Sequence, residues 1–322
     1  MKNVIVTGGG GFIGSHVCKA LSLSGYTPIT IDNFSTGNRW AVKFGPLEEV
    51  DIHDEKSISE ILLSYKPVGV IHLAASAYIG ESVSNPAKYW QNNVAGSLSL
   101  FQAVLAYGRI PTVFSSTCAV YGIQSSFPMT EEMSLSPVNP YGRSKLVVER
   151  ILLDFDSAYG FPHVCLRYFN AAGAAEDGSI GEVHVPEPHL IPNAINAALG
   201  GGVLTVFGTD YPTPDGTAIR DYIHVSDLAQ AHLLALAHLL EGGASEAFNL
   251  GNGAGYSVLE VVKAVENASR LVVPVKFEVR RAGDPPCLIG SSAKIERIFG
   301  WKPQFGLKEM VAHAVSWHCN RM

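Results

Sequence analysis

The first half of the chain alternates short, continuous apolar runs with segments whose apolar positions recur at helical spacing. The apolar runs fall at residues 4–6, 28–31, 47–50, 68–73 and 112–116. Helices are predicted to begin near Ser15, to cover residues 55–65 and 86–107, and to start again at Pro140. Runs of strand length that are apolar throughout read as strands buried on both faces. Their alternation with helices implies right-handed crossovers and a doubly wound parallel sheet, an α/β fold of Rossmann type. The second half changes character. Residues 171–192, 208–217 and 280–292 are irregular and rich in glycine, proline and polar residues, with short apolar pieces at 204–207 and 272–279 between them. Long loops inside a compact chain are usually functional, and these are read as the walls of a pocket. The expected organisation is a sheet domain over residues 1–170 and a smaller α/β substrate-binding domain over 171–322, with some of its segments returning to the first sheet.

Composition narrows the class. The chain has 322 residues, 47% hydrophobic and 16% charged, which suits a large packed core and argues against disorder. A net charge of -6 without a basic block argues against a nucleic-acid partner. No apolar run approaches the roughly 20 residues of a membrane span, and the opening Met1-Lys2-Asn3 has no signal-peptide core behind it, so a cytoplasmic protein is expected. The 5 cysteines are scattered and never spaced C-x-x-C, as in a reducing compartment. The 11 histidines form no H-E-x-x-H or similar array, so no metal is expected.

Chemistry first enters at residues 4–16, V-I-V-T-G-G-G-G-F-I-G-S-H. Gly8, Gly11 and Gly14 are spaced G-x-x-G-x-x-G between a strand and a helix. Gly8 permits a tight turn, Gly11 lets a pyrophosphate approach the backbone, and Gly14 allows close packing of helix on strand. The helix N-terminus offers free N–H groups to phosphate. The second strand ends in Asp32, near the ~20-residue spacing expected of the carboxylate that bonds an adenosine ribose; an acid there favours NAD over NADP. Ligands in such sheets lie beyond the carboxyl ends of the strands, here Gly8, Asp32, Asp51, Ala74-Ala75 and Ser115-Ser116-Thr117. Tyr141 and Lys145 stand four apart just after Pro140, on one face of a helix. A cation beside a phenol favours phenolate, so this pair is expected to act as a general base, with the Thr117 hydroxyl sharing the substrate oxygen. Together with a nicotinamide these groups oxidise an alcohol.

These residues resemble the extended short-chain dehydrogenase/reductases and, within them, the UDP-galactose 4-epimerase family. The resemblance spans essentially the whole chain. It rests on T-G-G-G-G-F-I-G-S-H, I-D-N-F-S-T-G, H-L-A-A, G-E-S-V, N-N-V-A-G, F-S-S-T-C-A-V-Y-G, Y-G-R-S-K, R-Y-F-N-A-A-G, N-L-G-N-G, R-R-A-G-D-P and, most distinctively, G-T-D-Y-P-T-P-D-G-T-A-I-R-D-Y-I-H-V. The resemblance implies reversible NAD-dependent oxidation at C4 of a UDP-hexose through a 4-keto sugar, interconverting UDP-galactose and UDP-glucose while NAD stays bound. It implies cofactor contacts from Phe12, Ile13, Asp32, Asn33, Asp51, Ile52, Leu73, Ala74, Ala75, Asn93 and Phe169, with Tyr141 and Lys145 at the nicotinamide ribose. It implies substrate contacts from Asn170, His189, Leu190, Val206, Phe207, Arg220, Tyr222, Arg281 and Asp284, beside Thr117. Arg220 and Arg281 suit a diphosphate because guanidinium is planar and permanently charged. For either arginine a structural salt bridge is an alternative, and for Phe207 ordinary core packing is.

The chain departs from the family in three places. Ala77 stands where some members carry a lysine that reaches the cofactor. Thr117 stands where serine is also found and keeps the hydroxyl. Leu288 occupies a position resembling the gate of the sugar pocket, where some members carry tyrosine; the smaller side chain leaves room beside C2, so UDP-GlcNAc and UDP-GalNAc are further expected substrates. A 4,6-dehydratase would need an acid–base pair directly after Thr117, where Cys118-Ala119 stand instead. A UDP-pentose 4-epimerase (for UDP-arabinose and UDP-xylose) and a non-catalytic NAD-binding sensor remain as other readings. The resemblance also implies a homodimer through the helices near 86–107 and 141–159. Leu98, Phe101, Val104 and Leu105 serve equally well as interface or as core.

Overall fold

The computed structural model describes residues 2–281 and 284–321. Ala282 and Gly283 of the R-R-A-G-D-P motif lie outside them. The chain opens with β1 (Lys2–Thr7), α1 (Phe12–Leu23), β2 (Tyr26–Ile31), β3 (Leu47–Glu48), α2 (Glu55–Tyr65) and β4 (Gly69–His72). Then come α3 (Ile79–Ser84), α4 (Pro86–Tyr89), α5 (Gly96–Tyr107), β5 (Thr112–Thr117), α6 (Pro140–Tyr159) and β6 (His163–Tyr168). The second half adds β7 (Asn170–Ala172), α7 (Leu190–Ala198), β8 (Leu204–Phe207), β9 (Ile219–Arg220), β10 (Tyr222–His224) and α8 (Val225–Leu240). It ends with β11 (Glu246–Leu250), β12 (Tyr256–Ser257), α9 (Val258–Ser269), β13 (Val275–Glu278), β14 (Cys287–Leu288), α10 (Ala293–Phe299) and α11 (Leu307–Cys319).

Seven strands form one parallel sheet in the order β11-β6-β5-β4-β1-β2-β3. The order reverses between β1 and β4, which opens a crevice at the carboxyl ends of those strands. The apolar runs are continuous because successive residues face two different cores. Val4, Val6, Ile71, Val113 and Leu166 meet α1 and α8 on one face, whereas Ile5, Val70, Phe114 and Cys165 meet α2, α5 and α6 on the other. Phe101 and Val104 are fully buried in that second core and Leu105 packs against it, so these helix positions belong to the interior of the chain. A separate core holds α7, α9, α11 and β8 together under the irregular second half. Two second-half segments, α8 and β11, belong to the first sheet.

The structure refines several element boundaries. α1 starts at Phe12 rather than near Ser15: the glycine turn closes by Gly11, and Ser15 N–H already donates to the Gly11 carbonyl at 3.0 Å. The predicted helix over 86–107 is three pieces, with a π-helical stretch, Trp90–Ala95, between α4 and α5. Such wide turns recur at functional sites, and this one carries Asn93. α6 begins at Pro140 as expected, because Asn139 caps it by accepting from Gly142 N–H at 2.8 Å.

Candidate active site

The glycine turn brings β1 and the loop after β4 into backbone contact. Gly8 has φ +72°, and a Cβ there would lie 2.7 Å from the Ala74 nitrogen. A Cβ on Gly14 would lie 2.1 Å from the Gly8 carbonyl oxygen, so the helix and turn meet only through glycine. The N–H groups of the first turn of α1, those of Phe12, Ile13 and Gly14, have no intrahelical acceptor and are available to an anion. Asp32, at the end of β2, accepts from Gly10 N–H at 2.9 Å and from Phe34 N–H at 2.8 Å. Burial pushes its carboxyl upward, opposed by these two bonds. A Cβ on Gly10 or Gly37 would come within 3.0 or 2.9 Å of an Asp32 oxygen, so both glycines keep that carboxylate open to a hydroxyl pair. Asn33 donates to Asp51 at 2.7 Å, and Asp51 also accepts from His53. Ile52 is buried beside them. These groups fit a dinucleotide lying across the crevice.

Asn93 is 1% exposed, accepts from Ser76 N–H at 2.8 Å, and donates to the Ser76 carbonyl and Ser144 Oγ, each at 3.0 Å. Its amide ties the loop after Leu73, Ala74 and Ala75 to α6, which gives it a positioning role beside that loop.

The reactive groups come from β5 and α6. Thr117 ends β5 and its hydroxyl lies in hydrogen-bond contact with the Tyr141 phenol. Lys145, one helical turn on, is 3% exposed; its Nζ donates to the Ser115 carbonyl at 2.8 Å and stands 4.8 Å from the Phe114 ring centroid. Burial pushes Tyr141 up to about 12, opposed by its bond to Thr117. Burial also pulls Lys145 down to about 7, opposed by the nearby Glu149 carboxylate. Desolvation is the largest influence on both, although only Lys145 is fully buried and Tyr141 is half-buried.

The substrate residues implied by the resemblance gather at one cavity. Asn170, His189, Leu190, Val206, Phe207, Arg220, Tyr222, Arg281 and Asp284 all line it. Val206 is fully buried and forms its floor. The Arg281 guanidinium stacks over Phe207 at 4.0 Å from the ring centroid, an interaction of about 0.5–2 kcal/mol. Phe207 is therefore a wall of the cavity and not simple core. Arg220 pairs with Asp284 and also donates to the Ile219 carbonyl at 2.7 Å, so it is held rigidly within the wall. Leu288 and Thr117 lie off this cavity. β14 pairs with β9 so that Leu288 is in register with Arg220. Leu288 also packs with Phe169, Val120, Tyr121 and Leu146. That apolar cluster connects the cavity to the segment just after Thr117.

Three groups escaped the sequence reading. Glu182 and Asn193 line the cavity. Asp221 gathers two loops by accepting from Asn252 N–H at 2.8 Å and from Gly253 and Gly290 N–H at 3.1 Å each. Glu149 pairs with Arg167, both nearly fully buried, beneath the end of β5. Glu149 stands four residues after Lys145 on the same helix face, a spacing that could have revealed it; Arg167, in an otherwise apolar strand, was the other signal.

The model of the NAD dependent epimerase/dehydratase family matches residues 4–251. The chain is similar to UDP-glucose 4-epimerase of Rhizobium leguminosarum bv. trifolii, with 48% identity over 98% of this chain and 97% of that protein. Its structure is similar to that of UDP-glucose 4-epimerase from Brucella ovis in complex with NAD, at a TM-score of 0.96 and 49% identity, covering 98% of each chain. It is also similar to UDP-glucose 4-epimerase from Bifidobacterium longum in complex with NAD+ and UDP, at a TM-score of 0.94 and 36% identity, covering 99% of this chain and 98% of that one.

Proposed function

Because the chain belongs to the NAD dependent epimerase/dehydratase family, we propose that it interconverts UDP-galactose and UDP-glucose by reversible oxidation at C4 of the hexose. Its cofactor is NAD, which supplies the hydride acceptor at C4 and a positively charged ring that favours phenolate at Tyr141. The observation that carries the reading is the pairing of two unlike sites. A cavity bearing Arg220 and Arg281 begins at Asn170, next to Phe169 of the apolar cluster, and the Thr117–Tyr141 hydroxyl pair supplies a second, reactive site.

Tyr141 takes the proton of the C4 hydroxyl and later returns it. Thr117 holds the same oxygen by a hydrogen bond. Lys145 holds the ribose side of the cofactor from the next turn of α6. Arg220 and Arg281 grip the diphosphate with charge-assisted bonds, Tyr222 and Phe207 bound the uridine side, and Asn170, His189 and Leu190 close the cavity. Firm holding of the nucleotide leaves the 4-keto sugar free to turn about its link to the diphosphate, so hydrogen returns to either face. No net redox follows, and the proton leaves and re-enters through one phenol. Residues 1–170 carry the cofactor and the reactive pair, and 171–322 chiefly bind the nucleotide sugar, with α8 and β11 returned to the sheet. Leu288 leaves room for an N-acetyl group beside C2, so UDP-GlcNAc is included as a substrate.

The test is to incubate the purified protein with UDP-glucose, UDP-GlcNAc and UDP-xylose without added NAD and to identify the products. Conversion of UDP-glucose to UDP-galactose is the expected outcome. Turnover of UDP-xylose alone would make it a pentose 4-epimerase, no turnover of any sugar would make it a sensor, and an inert UDP-GlcNAc would remove the role given to Leu288.

The working enzyme is a cytoplasmic homodimer through the outer faces of the helical segments over residues 86–107 and 141–159, where Trp90 and Leu153 are exposed. A monomeric mass by light scattering would remove this interface. Among the described residues, no helix is long and apolar enough to cross a membrane.

A further inference from the structure

The loop between Gly181 and α7 carries four side chains at E-x-H-x-x-E-x-H spacing: Glu182, His184, Glu187 and His189. No helical or finger-type metal motif has this spacing, and the sequence alone gave no reason to group them. The fold folds the loop on itself, and one donor atom from each lies within 4.8 Å of the other three. Glu182 Oε1 is 3.2 Å from His184 Nδ1 and 2.7 Å from His189 Nδ1. Glu187 reaches the same two nitrogens at 3.5 Å and 2.9 Å.

Hydrogen bonding satisfies only part of this cluster: His189 Nδ1 is bonded to Glu187 Oε1 at 2.9 Å. The Glu182 side chain is 4% exposed, yet its Oε1 has no hydrogen bond, and the buried Nδ1 of His184 has none. Two buried polar atoms of the cluster are thus left without a partner while lying within 4.8 Å of the other donor atoms. A tetrahedral ion with bonds of ~2.0–2.1 Å sets its ligands roughly 3.3 Å apart, and the observed 2.7–3.5 Å brackets that value. Two imidazole nitrogens with two carboxylate oxygens form a borderline donor set, suited to zinc and unsuited to the all-oxygen shells of calcium or magnesium.

We propose that Glu182, His184, Glu187 and His189 form a binding site for one divalent transition-metal ion of the zinc class. The ion would pin the loop that walls the cavity, since Glu182, Pro188 and His189 all line it. Its place is structural: it closes four ligands from a single eight-residue loop on one side of the pocket and touches neither Tyr141 nor Thr117.

The test uses the full-length protein without a histidine tag. Protein stripped with a chelator and then desalted is titrated with zinc, and retained metal is measured by elemental analysis alongside the melting temperature. One zinc per chain and a rise of several degrees are expected, and cobalt(II) in place of zinc should give the visible absorption of a tetrahedral site. Glu182→Gln and His184→Gln should each lower zinc affinity at least about tenfold, as expected for loss of a ligand. Either variant that melts normally without metal serves as the folded control. No retained metal, or the absence of a tetrahedral cobalt spectrum, would overturn the proposal and leave an imidazolium–carboxylate ion-pair cluster. Zinc retained equally by both variants would place the ion at a cysteine instead and overturn it as well.

Discussion

Tyr141→Phe reduces epimerisation of UDP-glucose by roughly 10²–10⁴-fold, the usual worth of a general acid–base group, while NAD remains bound at the wild-type ratio. The substitution removes one oxygen and keeps the ring, so the edge contact with Tyr89, at 6.4 Å between centroids, survives. The loss falls on kcat, because the phenol binds the reacting proton and not the nucleotide, whose grip lies in the cavity with Arg220 and Arg281. A coupled assay with extraction and quantification of bound NAD measures both quantities. Turnover within a few-fold of wild type would refute the assignment of Tyr141. Loss of NAD would show instead that the phenol serves to hold the cofactor. The structure also says why the tyrosine is idle on its own: a phenol held up at about 12 by burial is protonated at neutral pH. Bound, oxidised NAD adds a positive charge beside Lys145, itself lowered to about 7.

Arg167→Leu lowers stability by about 3–5 kcal/mol, because it leaves the Glu149 carboxylate charged and buried without its partner. Arg167 donates through Nε at 2.9 Å and Nη2 at 2.6 Å to the two oxygens of Glu149, and through Nη1 at 3.0 Å to the Tyr121 hydroxyl. Ser116 Oγ donates to the same carboxylate, and Tyr121 passes the chain on to Asn249 Oδ1 at 2.7 Å. One ion pair thus joins α6, β5, β6 and β11 directly below Thr117. The double variant Arg167→Leu with Glu149→Leu should recover most of the loss, since replacing both partners by apolar groups removes the stranded charge. Melting temperatures of the two single variants and the double variant form the required cycle. A double variant no more stable than Arg167→Leu would mean that the network contributes packing and not charge compensation.

Much of this site was legible in the chain because its parts are local. The glycine turn, Asp32 at the end of β2 and the Tyr141–Lys145 pair each occupy a few residues, and each depends on a spacing that a strand, a turn or one helical turn imposes. The substrate residues were named only through resemblance. No periodicity links Asn170 with Arg220 or Arg281, which meet because β7, β9 and the segment before β14 converge on one cavity. Asn93 was assigned to the cofactor on the same grounds, and its buried amide bonds Ser76 and Ser144.

From sequence alone came the parallel α/β class, the crevice at the strand ends, the identity of the dinucleotide and the base, since each follows from backbone geometry and residue chemistry over short range. The tertiary structure alone decided three matters. It fixed which second-half segments return to the first sheet, β11 as a strand of it and α8 packed on its face. It turned Lys145 toward the Ser115 carbonyl and set burial against the charge of both Lys145 and Tyr141. It drew Glu182, His184, Glu187 and His189 to one point. All three depend on burial and on contacts between distant segments, and neither quantity is written in the order of residues along a chain.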